Sequence, residues 1–334
     1  MRRLVPLGLL LVALSACVQV RALSPAGAPG LHRDAEIFSA VDGMLAHARS
    51  RVWVEMYEFG RADLAQRLVA LWRRGLDVRL VTDPTVDVSR ATAAALKAAG
   101  VPVRLYPVDE AVHQIDHVKL LLVDGAALVG GMNWGGTSAR NHDYALEVRS
   151  PAAVKRLAAI YEQDWSLAGG APAPIATSGS GPVYQTAPGE EIRGRLLQLI
   201  AGSRQESDLE VFVLSDPDVI AELGMAHLRG VRVRVLLDPN QDSNATSCGL
   251  LRRAGVEMSW FPVAAGQKLH AKVGLFDGAL LLGSANWSVS GLSSNHELDV
   301  ESHDPRQTAT FRAWFDADWA LARPWWEWWL NLAC

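Results

Sequence analysis

Apolar and polar residues alternate with a period of two in Val52-Trp53-Val54-Glu55-Met56-Tyr57 and again in Leu209-Glu210-Val211-Phe212-Val213-Leu214, the spacing of β-strands. A helical pattern follows each, over 62–72 and 218–228. A second apolar strand then ends on the same dipeptide, Asp83-Pro84 in one stretch and Asp238-Pro239 in the other. Further helices are predicted over 91–99 and 247–254, each closed by a glycine, Gly100 or Gly255, suited to a left-handed helix cap. The stations coincide, so the chain holds two copies of one unit of about 150 residues, the length of a domain rather than of a solenoid repeat. Strands alternating with helices predict an α/β fold with a mixed or mainly parallel sheet in each copy.

Between the copies, 169–189 is rich in Gly, Ala, Pro and Ser without apolar periodicity and reads as a linker. That leaves lobes over 31–168 and 190–322. Ahead of them, Met1-Arg2-Arg3 and an apolar run over 4–16 form a secretory leader, too short for a span of roughly 20 residues. The run ends Leu14-Ser15-Ala16-Cys17, which resembles a bacterial lipoprotein signal. That resemblance implies a leader over 1–16, lipidation of Cys17, a tether over 17–30 and an extracytoplasmic, membrane-anchored location in the periplasm or cell envelope. Ordinary cleavage and a retained helix are the alternatives. In an oxidising compartment Cys248 and Cys334 form a disulfide or remain two free thiols. The tail over 323–334 carries Trp325, Trp326, Trp328 and Trp329, either packed on the second lobe or anchored at a membrane interface.

With 334 residues, 49% of them hydrophobic, the chain can bury one large core or two of ordinary domain size, which excludes a disordered or fibrous protein. A net charge of −4 gives no broad footprint for a polyanion. Lysines are scarce: Lys97, Lys119, Lys155, Lys268 and Lys272 are all there are. Two of them fall in the segment that carries chemistry.

The first copy contains His117-Val118-Lys119, then Asp124, then Gly130-Gly131-Met132-Asn133-Trp134; the second contains His270-Ala271-Lys272, then Asp277, then Gly283-Ser284-Ala285-Asn286-Trp287. Residues two apart on a strand share a face, so each histidine projects with its lysine. An Asp-Gly turn, Asp124-Gly125 or Asp277-Gly278, leads into a second strand ending at the asparagine. Two such His-Lys-Asn trios facing one another make a phosphodiesterase site. One histidine attacks phosphorus and the other moves the proton of the leaving or incoming oxygen, while lysines and amides hold the non-bridging oxygens. Lysine beside each histidine opposes a zinc site, and neither metal nor cofactor is expected there.

This double pattern resembles the phospholipase D superfamily, on its cardiolipin synthase-like side, across both copies. The resemblance implies a duplicated phospholipase D-like fold, two α/β/α sandwich lobes related by a pseudo-twofold with one active site between them. It implies catalytic roles for His117, Lys119, Asn133, His270, Lys272 and Asn286, with His117 as nucleophile and His270 as acid/base. Asp124 and Asp277 carry a lesser, structural role. The family's Asn-x-Glu element corresponds to Asn141-His142-Asp143 and Asn295-His296-Glu297, so Asp143 and Glu297 are expected to orient the histidines, with Glu147 and Asp299 next in line. Gly131 departs from the serine often found at its place. A phospholipid membrane is the expected partner and substrate, through metal-independent phospholipase D or phosphatidyl-transfer chemistry, and no protein partner is required. The alternatives are an extracytoplasmic nuclease of the same superfamily and a lipoprotein that binds anionic headgroups without turnover.

Overall fold

The computed structural model describes residues 30–172, 181–186 and 190–324. The leader, Cys17, Cys334 and the tryptophan run lie outside the described residues. Cys248 is buried and disulfide-bonded.

The first lobe runs β1 (Leu31–Arg33), α1 (Glu36–Ala46), β2 (Arg51–Met56), α2 (Ala62–Arg73), β3 (Asp77–Thr82), α3 (Asp87–Ala98), β4 (Val103–Leu105), β5 (Lys119–Val123), β6 (Ala126–Gly130), β7 (Tyr144–Val148) and α4 (Pro151–Leu167). Its sheet has the order β1-β7-β6-β5-β2-β3-β4. The β2, β3 and β4 strands are parallel, and the others join antiparallel. The second lobe runs β8 (Val183–Thr186), α5 (Glu191–Gly202), β9 (Glu206–Val211), α6 (Pro217–Leu228), β10 (Arg232–Leu237), α7 (Asp242–Arg253), β11 (Glu257–Trp260), β12 (Lys272–Phe276), β13 (Ala279–Gly283), α8 (Val289–Ser293), β14 (Glu297–Ser302), α9 (Pro305–Leu321) and β15 (Arg323–Pro324). Its order, β15-β11-β10-β9-β12-β13-β14-β8, repeats that of the first lobe with one strand added at the β11 edge.

Two expectations need correction. Helices α3 and α7 begin at Asp87 and Asp242, a turn earlier than the apolar pattern indicated, because their first turns are polar. The stretch 169–189 is not all linker: Val183–Thr186 pairs antiparallel with β14, Val183 opposite Val300 and Thr186 opposite Glu297, and places Val183, Gln185 and Thr186 in the interior. This strand is the second lobe's counterpart of β1.

Three apolar cores explain the layering. One lies between the first sheet and α1, α2 and α3, with Val52, Val54, Leu64, Leu68 and Leu96; another lies between the second sheet and α5, α6 and α7, with Leu196, Leu209, Leu223, Val233 and Leu251. The third takes the opposite face of both sheets at once. There Trp53, Leu120, Leu122 and Tyr161 of the first lobe join Val273, Leu275, Phe311, Trp314 and Phe315 of the second. A shared inner core makes the lobes one unit, because separating them would expose this apolar surface to water. Among the described residues no helix is long and apolar enough to cross a membrane.

Candidate active site

Strands β5 and β12 lie inside their sheets, between β6 and β2 and between β13 and β9. Lys119 and Lys272 open these strands, and each ammonium turns back to donate to the carbonyl of its own His117 or His270. Asp124 and Asp277 sit at the far ends, with left-handed backbones (φ 49° and 52°) that open the two-residue hairpins. The Asp124 carboxylate accepts the N–H groups of Arg49, Ser50 and Arg51 at 2.9–3.0 Å, and Asp277 those of Arg204, Gln205 and Glu206 at 2.9 Å. These aspartates clamp the start of β2 and β9 to the hairpin, away from the histidines.

The site is assembled by exchange between lobes. Asp116 bridges His296 and Leu269 bridges His142, both in parallel. His117 N–H donates to the His296 carbonyl and His270 N–H to the His142 carbonyl, both at 2.8 Å. Each His-x-Lys segment is thus an added strand partner of the other lobe's Asn-His-acid segment. The next residue of that segment supplies the carboxylate: His117 Nδ1 lies 2.9 Å from Glu297, and His270 Nδ1 lies 2.8 Å from Asp143. Both imidazoles are nearly buried, 5% and 6% exposed. Nδ1–H donated to a carboxylate leaves Nε2 as the free ring nitrogen. Glu147 and Asp299, the next candidates, engage His32 at 3.8 Å and the Ala285 N–H at 3.2 Å instead.

Burial and neighbouring charge set the protonation states. Burial, with help from Lys119 and Lys272, pulls His117 down to about 4 against the opposing pull of Glu297. Burial and the same two lysines hold His270 well below the usual histidine value. Both rings are therefore neutral near pH 7. Burial, with repulsion from Lys272, lowers Lys119 to about 7, and burial, with repulsion from Lys268, lowers Lys272 to about 8, although Glu297 and Asp143 support both charges. The two carboxylates differ. Burial raises Asp143 to about 7, while in Glu297 the contacts to His117 and Lys119 overcome burial and hold it below its ordinary value.

Asn133 and Asn286 each have a buried side-chain oxygen without a hydrogen-bond partner among the described residues. Asn133 Nδ2 lies 3.4 Å from Glu58. Sequence reasoning missed the ring floor of the site. Tyr57 packs edge-on to His117 at 4.8 Å with the Lys119 ammonium 5.0 Å over its ring, and Phe212 lies tilted against His270 at 4.8 Å with the Lys272 ammonium 5.0 Å over its ring. Each ring is the first residue after its strand, β2 or β9, so aligning the two copies could have flagged them. His142 and His296 were also missed as structural residues. His142 contacts Glu210 at 2.8 Å and Asp34 at 2.9 Å, and His296 contacts Asp164 at 3.0 Å.

Gly131 has a physical reason. A Cβ there would lie 2.3 Å from Asp143 Oδ1, which the shorter acid brings close to the backbone. At the equivalent place Ser284 Oγ instead donates to Glu297 at 2.6 Å and accepts the Leu298 N–H at 2.9 Å. Glycine goes with aspartate and serine with glutamate.

With this geometry established, comparison with known proteins places the chain. The family described as "Cardiolipin synthase, PLD-like domain" matches residues 41–165 and 196–319, one match in each lobe, and the chain belongs to this family. Over 138 residues it is 30% identical to the human mitochondrial cardiolipin hydrolase, covering 41% of this chain and 54% of that protein. It is 24% identical over 311 residues to the cardiolipin synthase of Alkalihalophilus pseudofirmus, covering 79% of this chain and 60% of that one. The chain thus spans about half the length of the human relative. Phosphatidylserine synthase of Haemophilus influenzae superposes with a TM-score of 0.68 over 85% of both chains at 14% identity. Polyphosphate kinase of Porphyromonas gingivalis does so with 0.64 at 15% identity, covering 86% of this chain and 50% of that one. These two structural likenesses concern the fold.

Two outcomes follow from the paired carboxylates. Gly131→Ser alone is expected to displace Asp143 and remove the low-field proton signal of His270 Nδ1–H, and adding Asp143→Glu should restore it. A single variant that keeps the signal would refute the pairing rule. Because the Glu297 charge supports Lys119, Glu297→Gln should move the Lys119 titration below about 7. With five lysines in the chain, carbon NMR of labelled lysine side chains can follow it directly, and an unchanged or raised titration would contradict the assignment.

Proposed function

We propose that the chain is a phosphodiesterase of phospholipids, acting by phospholipase D or phosphatidyl-transfer chemistry through a phosphohistidine. The observation that carries this reading is the crossed pair of imidazole–carboxylate contacts, each made between lobes, with a lysine beside each ring. Neutral His117 attacks phosphorus through Nε2, forming an N–P bond as the bond to the leaving alcohol breaks. The leaving oxygen takes the Nε2 proton of the His270–Asp143 pair in its protonated form, which holds one proton on Nε2 and one between Nδ1 and the Asp143 carboxylate. Water or an acceptor alcohol then gives its proton back to His270 and attacks phosphorus, releasing His117. Lys119, Lys272, Asn133 and Asn286 hold the non-bridging oxygens throughout, the electrostatic role that a metal plays in other phosphodiesterases.

The unequal carboxylates favour this division of labour. Asp143, raised to about 7, lets the His270 pair hold a proton near neutrality. Glu297 remains ionised behind His117, supporting the charge that develops on the ring as it attacks. The names of the relatives, cardiolipin hydrolase and cardiolipin synthase, support a phospholipid as substrate. A lipidated Cys17 would hold the enzyme beside a bilayer on the extracytoplasmic side.

The test offers wild type and the His117→Ala and His270→Ala variants vesicles of phosphatidylglycerol or cardiolipin, and in parallel single-stranded DNA. Wild type should release or exchange lipid headgroups. His270→Ala should slow this about 10²–10⁴-fold, and His117→Ala should abolish it together with acid-labile labelling of the protein by phosphate. Cleavage of DNA alone would move the chain to the nuclease reading, and headgroup binding without turnover would make it a binder. For the anchor, Cys17→Ser should shift the expressed protein from membrane to soluble fractions; a variant that stays with the membrane would refute lipidation as the tether.

A further inference from the structure

Behind the site, on the inner face of the first sheet, four side chains from both lobes meet in the interior. They are Glu55 of β2, Asp116 beside His117, Asp164 of α4 and His296 beside Glu297, all 0% exposed. His296 Nε2 lies 3.0 Å from Asp164 Oδ2 and 3.6 Å from Glu55 Oε1. One ligand atom each from Glu55, Asp116 and His296 falls within 4.8 Å of the others. Glu55 and Asp116 bring their carboxyl groups together, and among the described residues no other group donates a hydrogen bond to either Glu55 oxygen or to Asp116 Oδ2. Buried carboxylate oxygens without partners are costly unless a counter-charge meets them.

The pseudo-twofold supplies an internal control. Around His142 the equivalent positions hold Glu210, Asp318 and, in place of Asp116, the apolar Leu269. There Asp34 contacts His142 at 2.9 Å, Arg33 reaches Asp318 at 3.4 Å, and the Tyr144 hydroxyl donates to Glu210 at 3.1 Å. Three carboxylates thus face two cationic side chains. Around His296 the register puts Gln185 where Arg33 stands and Thr186 where Asp34 stands. Among the described residues three carboxylates face one imidazole, one positive group fewer than around His142.

We propose that Glu55, Asp116 and His296 Nε2 bind a divalent cation of the zinc class, with Asp164 as a further oxygen ligand. His296 Nδ1 is 3.0 Å from the Thr186 carbonyl; donating its proton there leaves the Nε2 lone pair directed at the carboxylates, the tautomer that metal-bound histidines adopt. Imidazole with carboxylates in a dry, compact site suits zinc over magnesium or calcium, which favour oxygen alone. Zinc–ligand distances of about 2.0–2.2 Å require only a modest closing of the present separations. On binding, the ring gives up its second proton and the ion brings two positive charges, which matches the balance around His142. The ion would pin β2, α4 and the Asn295-His296-Glu297 segment together and would not touch the phosphate.

The experiment measures metal by mass spectrometry in the full chain, purified without a polyhistidine tag or chelator, and melting temperature after chelation and zinc addition. Asp116→Leu, which copies Leu269, and Glu55→Gln are compared with wild type. About one zinc per chain in wild type, lost in both variants, with a melting temperature that rises on adding zinc only in wild type, is the expected result. Metal retained in Asp116→Leu would place the ion elsewhere and overturn the site. Metal-free wild type whose melting temperature ignores zinc would overturn it too. In that case an infrared carbonyl band of a protonated carboxyl, absent in Glu55→Gln, would identify a proton as the counter-charge. Neither readout depends on lipid turnover, so this proposal and the phospholipid reading stand or fall separately.

Discussion

A buried imidazole that must carry charge during a reaction needs a carboxylate behind it, and in this chain each imidazole takes that carboxylate from the other lobe. Glu297 serves His117 and Asp143 serves His270. Separating the lobes would part each histidine from its counter-charge and each carboxylate from its donor, and would expose the shared inner core to water. The remaining architecture satisfies this constraint. The parallel bridges set the spacing of ring and acid, the Asp-Gly hairpins fix the register of the strands that carry the lysines, and the inner core fixes the distance between the sheets.

The two half-sites share a plan but not their details. Tyr57 and Glu58 stand where Phe212 and Val213 stand, and the glycine–aspartate pair answers the serine–glutamate pair. Such differences lie where they can separate the electrostatics of two otherwise identical rings, while the strands, hairpin clamps and outer cores that hold the rings remain alike. Because the two His-x-Lys pairs sit at the ends of interior strands rather than on long loops, their geometry is set by packed, hydrogen-bonded structure.

Much of this was legible in the residues. The paired His-x-Lys segments, their Asp-Gly turns and the matching glycine caps are local patterns, and local patterns survive in a sequence. So did the two carboxylates, through family resemblance, although their crossing between lobes did not. Contacts such as His142 to Glu210 or His296 to Asp164 join residues far apart in the chain, and neither partner has a spacing that announces the other. Strand β8 was hidden for a different reason. It has four residues in a Gly- and Pro-rich neighbourhood, and its place is decided by the open edge of β14 rather than by its own composition. The first turns of α3 and α7 were likewise masked by polar residues, among them the buried Ser89 and Asn244, whose side chains bond backbone groups of 57–59 and 212–214 that lie far off in the sequence.

The exchange of carboxylates also bears on how such a protein can change. Two identical halves related by a strict twofold would give both histidines the same surroundings, and neither could be tuned without tuning its twin. With both halves on one chain, a substitution at Gly131 or Ser284 alters one ring alone, so symmetry can be broken one position at a time. The same exchange makes the halves hostages to each other: a change that frees one histidine is registered in the opposite lobe, and the inheritance of the two copies is coupled even where their sequences have drifted apart.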